Sequence, residues 1–145
     1  MNVPAPTPVS ASLGINSDGK GGLQYVWTGA NVDSSGNFNL TSIKGPIQMT
    51  IAISSSLQVL FCTPAVTSLY LGKASSGEPT GPYVGNEFTA PSFVNNNSGV
   101  LSWNDQNSDG VTYAYVLWIW LVNTQYPNGT RIKIDPRIVN RGTSK

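Results

Sequence analysis

The stretch Asp105-Gln106-Asn107-Ser108-Asp109-Gly110 carries oxygen-bearing side chains at alternate positions and closes on a glycine. This is the first half of a calcium loop, in which alternate oxygens face a hard cation and the glycine permits a sharp turn. Asp105, Asn107 and Asp109 are therefore the candidate metal ligands, with calcium as the only cofactor the chain suggests. The position at which a bidentate glutamate would close such a loop is Val116, so a further carboxylate such as Asp18 or Asp33 would have to be supplied from elsewhere. The competing reading is a hairpin turn between Trp103 and Val111, where Asn, Asp and Gly are favoured for backbone reasons.

A second candidate chemistry is aromatic stacking. Trp118 and Trp120 are two residues apart and would share one face of a strand, and Tyr83 lies in a Gly/Pro-punctuated loop. Trp118, Trp120 and Tyr83 are the candidate ligand-binding residues, and a sugar ring is the ligand such a platform would take. Tryptophans at this spacing also suit a core or a subunit interface. Asn16 to Gly22 lacks the spacing and following helix of a phosphate-binding loop.

Catalysis is poorly served. The chain has no histidine, which removes the commonest general base and the commonest transition-metal ligand. Its single cysteine, Cys62, sits in an apolar run and reads as a buried thiol. The seven acids form no evident pair. The expectation is a protein that is not an enzyme. A net charge of +1, with only 10% charged residues, provides neither a basic stripe for nucleic acid nor an acidic tail.

The element that must position these residues is Val111 to Val122, VTYAYVLWIWLV, with no charge, proline or glycine. Twelve residues are too few for a membrane-crossing helix, which needs roughly 20. Aromatic and β-branched side chains instead favour a pleated strand. Both of its faces are apolar, so it is either covered on both sides or presents one face to a partner. Shorter strands are expected at Leu23–Trp27, Phe38–Ile43, Ile47–Ile53, Val59–Cys62, Ser68–Leu71, Val100–Trp103 and Arg131–Ile134. The Ser54–Ser56 turn suggests a hairpin between the third and fourth of these, and Asn128-Gly129 suggests one before the last. No segment has helical periodicity. The expected fold is an all-β, immunoglobulin-like antiparallel β-sandwich of about seven to nine strands. Residues 1–12, rich in proline, read as an extended N-terminal arm, and residues 13–145 as one sandwich domain. The N-terminus lacks the basic start and apolar run of a signal peptide, which points to the cytoplasm, with secretion as the alternative.

The ending Ile132-Lys133-Ile134-Asp135-Pro136-Arg137-Ile138-Val139-Asn140-Arg141-Gly142 resembles that of the DP-EP family of small bacterial all-β proteins, where a strand closes on Asp-Pro followed by apolar residues and an Asn. The resemblance covers under a tenth of the chain and implies a compact bacterial β-sandwich. Together these features predict a non-enzymatic binding or interaction domain that forms a homo-oligomer, with no nucleic acid or membrane partner. The alternatives are a carbohydrate-binding, lectin-like module assisted by calcium, and a structural subunit whose arm exchanges between neighbours.

Overall fold

The computed structural model describes residues 5–141, and its regular structure is almost wholly strand. Eleven strands are distinguished among the described residues: β1 Thr7–Ser17, β2 Leu23–Thr28, β3 Phe38–Asn39, β4 Ile47–Ser54, β5 Gln58–Phe61, β6 Leu69–Lys73, β7 Ser92–Phe93, β8 Val100–Asp105, β9 Thr112–Val122, β10 Thr130–Ile134 and β11 Arg137–Val139. They form two sheets. One runs β2-β1-β4-β8-β7, and the other is built on β9.

Both sheets are mixed rather than antiparallel. β1 runs parallel to β4 over Thr7 to Gly14, and β3 runs parallel to β11. The supposed hairpin between β4 and β5 is not formed either: β4 pairs with β1 and β8, whereas β5 crosses to the other sheet and pairs with β9. β8 and β9 likewise lie in different sheets, so the Asp105–Gly110 segment is a crossing between layers, not a hairpin turn. The Asn128-Gly129 hairpin does join β9 to β10, with Arg131 opposite Trp120.

The proline-rich start is a strand from Thr7 onward, while residues 1–4 of the expected arm lie outside the described residues. Val9, Ala11, Leu13 and Ile15 alternate inward and are buried. Pro8 is tolerated because β2 pairs only with Ser12–Ser17, leaving the start of β1 with β4 as its one strand partner. A proline can sit on a strand where its missing N–H is not required by a ladder.

β9 is the backbone of its sheet, and its length follows from having two partners in tandem on each edge. β6 covers Tyr113 to Leu117 and β5 covers Ile119 to Val122 on one edge; β11 covers Thr112 to Ala114 and β10 covers Leu117 to Leu121 on the other. The gaps between tandem partners are closed by loop backbone. Trp118 N donates to Ser68 O (2.9 Å), Cys62 N donates to Trp118 O (3.0 Å), and Tyr115 N donates to Pro136 O (3.0 Å). Asp135-Pro136 is thus the step between β10 and β11, and the segment after it is a paired strand. Every backbone polar group on a buried strand needs such a partner.

The sheets share one core. Tyr113, Tyr115, Leu117, Ile119 and Leu121 of β9 point into it, as do Ile47, Met49 and Ile51 of β4 and Leu101 and Trp103 of β8. Tyr115 lies 6.5 Å from Trp103 across the layers and 6.0 Å from Phe38, ring centre to ring centre. No helix among the described residues is long and apolar enough to cross a membrane.

Candidate functional site

The outer face of β9 is neither wholly covered nor wholly open. Val116 is buried, and with Ala114 it lies under the segment Ala74 to Pro79. That segment is tied down by an exposed ion pair, Lys133 Nζ to Glu78 Oε1 at 2.8 Å. Exposed pairs of this kind contribute little stability by themselves. Next along the strand, Trp118 is overlaid by the Arg131 guanidinium, 4.1 Å from the ring centre, and met edge-on by Tyr70 at 6.2 Å. A cation over an indole is attracted by the negative ring face.

The covering ends at Trp120. Its side chain is 40% exposed, and Leu60, directly opposite on β5, is 47% exposed. Between them and Arg131 runs a groove of about 580 Å³, lined also by Cys62, Tyr70 and Thr67. Burial pushes the Cys62 thiol up and favours its neutral form, against the opposing effect of Arg131. The Trp120 ring rests on Gly129, whose φ is +88° and whose missing side chain leaves the space the indole fills. Gly129→Ala is expected to cost about 1–3 kcal/mol from the positive φ alone. It should also expel the indole, because the new Cβ would stand 2.1 Å from Trp120 Nε1. A red shift in tryptophan emission, measured against wild type, checks this.

The third predicted aromatic, Tyr83, is not part of this face. It packs edge-on against Phe88 (5.1 Å) and Tyr113 (6.3 Å) at the edge of the core. Its hydroxyl accepts a hydrogen bond from Glu87 N at 3.1 Å. Trp118 and Trp120 are brought together, with Arg131, Leu60 and Tyr70 added. The first of these was within reach of sequence reasoning: the Asn128-Gly129 turn sets the register that puts Arg131 opposite Trp120. Leu60 and Tyr70 come from separate tandem strands, which no local pattern announces.

The Asp105–Gly110 segment is a knot of side-chain hydrogen bonds. Asp105 is fully buried, and its Oδ1 accepts from Asn107 N at 2.8 Å. Asn107, also buried and at φ +54°, turns its amide nitrogen to the carbonyls of Leu40 (3.2 Å), Ile43 (2.8 Å) and Gly45 (3.4 Å). Its Oδ1 accepts from Arg141 N at 2.7 Å. Asp109 accepts from Val111 N and from the Tyr113 hydroxyl (2.6 Å), and this contact together with burial raises the Tyr113 pKa, burial being the larger cause. Glu87 accepts from Ser108 N (2.8 Å), Ser108 Oγ (3.1 Å), Asp109 N (3.3 Å) and Asn140 Nδ2 (3.1 Å).

Each member of the predicted ligand set is therefore hydrogen-bonded within the chain, Asp105 through Oδ1 alone, and the Asn107 amide is taken up by residues 40–45 and Arg141. Asp18 and Asp33 do not join them: each accepts backbone N–H groups of its own turn, and those from Asn37 first hold Asp33 below the usual carboxylate range. Among the described residues, no group of three or more acids or cysteines could hold a metal ion. Glu87 and Asn140, which complete the knot, are 18 and 35 residues from Asp105 and have no sequence signature linking them to it.

No model of a known protein family matches the chain, and no curated protein does.

Proposed function

We propose that the protein is a non-enzymatic interaction domain that associates with a second copy of itself through the outer face of the β9 sheet. The observation that carries this is the change along one strand face. From Ala114 to Trp118 the apolar surface is covered by its own chain, and at Trp120 and Leu60 it stops being covered. Trp120, Leu60 and the 41%-exposed Tyr126 are the large hydrophobics that β5, β9 and the turn after β9 leave in solvent. A half-open tryptophan beside a groove, with one arginine and few other charges, has the composition of an interface centre. An immunoglobulin-like sandwich is the architecture we propose for the two mixed sheets, with β9 as the strand that presents this face.

In sedimentation velocity, the wild-type chain is expected to form a dimer as concentration rises to millimolar. Leu60→Asp should weaken that dimer by at least about fivefold, the effect of losing a residue worth more than 1 kcal/mol at an interface centre. A wild-type chain that remains a strict monomer at that concentration would sink the proposal.

A carbohydrate-binding module is the second reading. It is favoured by the exposed indole of Trp120 in a groove that Arg131 and Thr67 also line, a stacking surface with polar residues beside it. Glycan-array binding that disappears in Trp120→Ala would favour it over self-association.

A further inference from the structure

The two sheets differ in where their charges lie. Among the described strands the charged residues are Lys73 on β6, Asp105 on β8, Arg131 and Lys133 on β10 and Arg137 on β11. Asp105 is fully buried, so the strands of the β2-β1-β4-β8-β7 sheet present no charge to solvent. Residues 21–32, which include β2, carry none at all.

An open strand edge is a row of unpaired N–H and C=O groups, and folded proteins blunt it with a short strand, a charge, a proline, a bulge or a covering segment. The strands at the ends of the two sheet orders are β7 and β3, of two residues each, β10, which carries Arg131 and Lys133, and β2. β2 has none of these devices. It is six uncharged residues without proline, paired with β1 residue for residue from Leu23 to Thr28. Among the described residues, its other edge bonds to no further strand or loop backbone.

The direction of the free groups follows from the ladder. Asp18 N donates to Gly22 O (3.1 Å), which extends the β1–β2 pairing beyond Ser17 and Leu23. Bonded and non-bonded pairs alternate along an antiparallel ladder. Gln24, Val26 and Thr28 are therefore the residues bonded to β1, and Leu23, Tyr25 and Trp27 aim their N–H and C=O groups outward. Ile15, opposite Tyr25, agrees with this phase: its carbonyl accepts from Ser55 Oγ, just past the end of β4, on the side away from β2.

We propose that β2 pairs edge to edge with β2 of a second copy of the chain, antiparallel about a two-fold axis at Val26. Tyr25 then exchanges both backbone bonds with the second copy's Trp27, and Val26 meets its own copy at a non-bonded pair, where side chains come closest. Val26 is 47% exposed and is the large hydrophobic that β2 leaves in solvent. Moving the axis to Tyr25 would set each Val26 against Gln24 instead. A two-fold pair sets a strand against itself, so a charge on it would face or neighbour an equal charge. β2 meets that condition and β10 does not, which selects a second copy as the occupant. The contact is separate from the one at Trp120 and Leu60, which belongs to the other sheet.

The test is made in Leu60→Asp, which weakens that other contact, so that either can fail without the other. Val26→Cys in this background should form a disulfide-linked dimer under mild oxidation, because the Cα separation at a non-bonded pair suits a disulfide. Gln24→Cys, also exposed, faces the second copy's Thr28 and should not. Cys62 is buried and stays out of the reaction. Cross-linking that is absent at Val26→Cys, or equal at the two positions, overturns the proposal. With β2 unsubstituted, the Tyr25 and Trp27 amides should be protected from exchange at millimolar concentration and lose that protection on dilution to micromolar. Val26→Lys sets like charges at the axis and should weaken the pairing by at least about tenfold. Amides that stay unprotected at millimolar concentration mean that the edge does not take a second copy. Protection that does not change on dilution means that the chain covers the edge itself. Either result overturns the proposal.

Discussion

Asn107→Asp should destabilise the protein by about 3–5 kcal/mol at neutral pH, the scale for leaving a buried charge without its partner. The change is nearly isosteric, so packing is not what it tests. In the wild type the amide nitrogen donates to three carbonyls of residues 40–45 and the oxygen accepts from Arg141 N. The introduced carboxylate would accept the Arg141 N–H as before but face three carbonyl oxygens with no hydrogen to give. Those carbonyls would lose their donors and the new charge would be buried among them. Asn107→Gly separates the two roles of this residue: it relieves the positive φ while deleting the side-chain bonds, and should fall between wild type and Asn107→Asp. Urea unfolding at pH 7 measures both. Part of the loss in Asn107→Asp should return at acid pH, where the protonated carboxyl again has one hydrogen to donate. A cost under about 1 kcal/mol, the ordinary net value of one hydrogen bond, would show that the amide does not hold the 40–45 loop.

Tyr115→Ala carries the other large effect, about 3–5 kcal/mol for an aromatic-to-alanine change in a core. Tyr115 is fully buried, touches aromatic neighbours from both sheets and donates its hydroxyl to Gly36 O at 2.5 Å. Tyr115→Phe keeps the ring and orphans the Gly36 carbonyl, which should cost about 1–3 kcal/mol. Burial raises the Tyr115 pKa, so the hydroxyl keeps its hydrogen and the difference between the two variants should not change between pH 6 and 9. Comparable losses in both variants would mean that the hydrogen bond, not the ring, joins the layers here.

Where sequence and structure part, the cause is a partner distant along the chain. Val9, Ala11, Leu13 and Ile15 alternate as a strand should, yet the prolines at 4, 6 and 8 make the segment read as an arm. That Pro8 needs no ladder partner depends on where β2 stops. The serine run after β4 does turn the chain, but whether the next strand returns to its own sheet or crosses to the other is a question of which edge has vacancies. Here β9 offered the vacancy. The Asp105–Gly110 spacing suits an ion, but Asn107 Oδ1 accepts from Arg141 N, its amide nitrogen donates to carbonyls of residues 40–45, and Asp109 accepts from Val111 N and the Tyr113 hydroxyl.

An all-β chain, Val111–Val122 as its organising strand and the Asn128-Gly129 turn that folds β10 back onto it are all legible in the residues alone. These are local matters: side-chain shape against the pleat, and backbone preference in a two-residue turn. The sequence also places Trp118 and Trp120 on one face, because a strand repeats every two residues. What covers that face depends on strands distant along the chain. Arg131 and Tyr70 cover Trp118, the Ala74–Pro79 segment covers Val116, and Trp120 stands half open over Gly129. Only the fold could bring Glu87 and Asn140 to Asp105. Burial and unequal sharing of hydrogen-bond donors are properties of a three-dimensional neighbourhood, and no spacing along the chain encodes them.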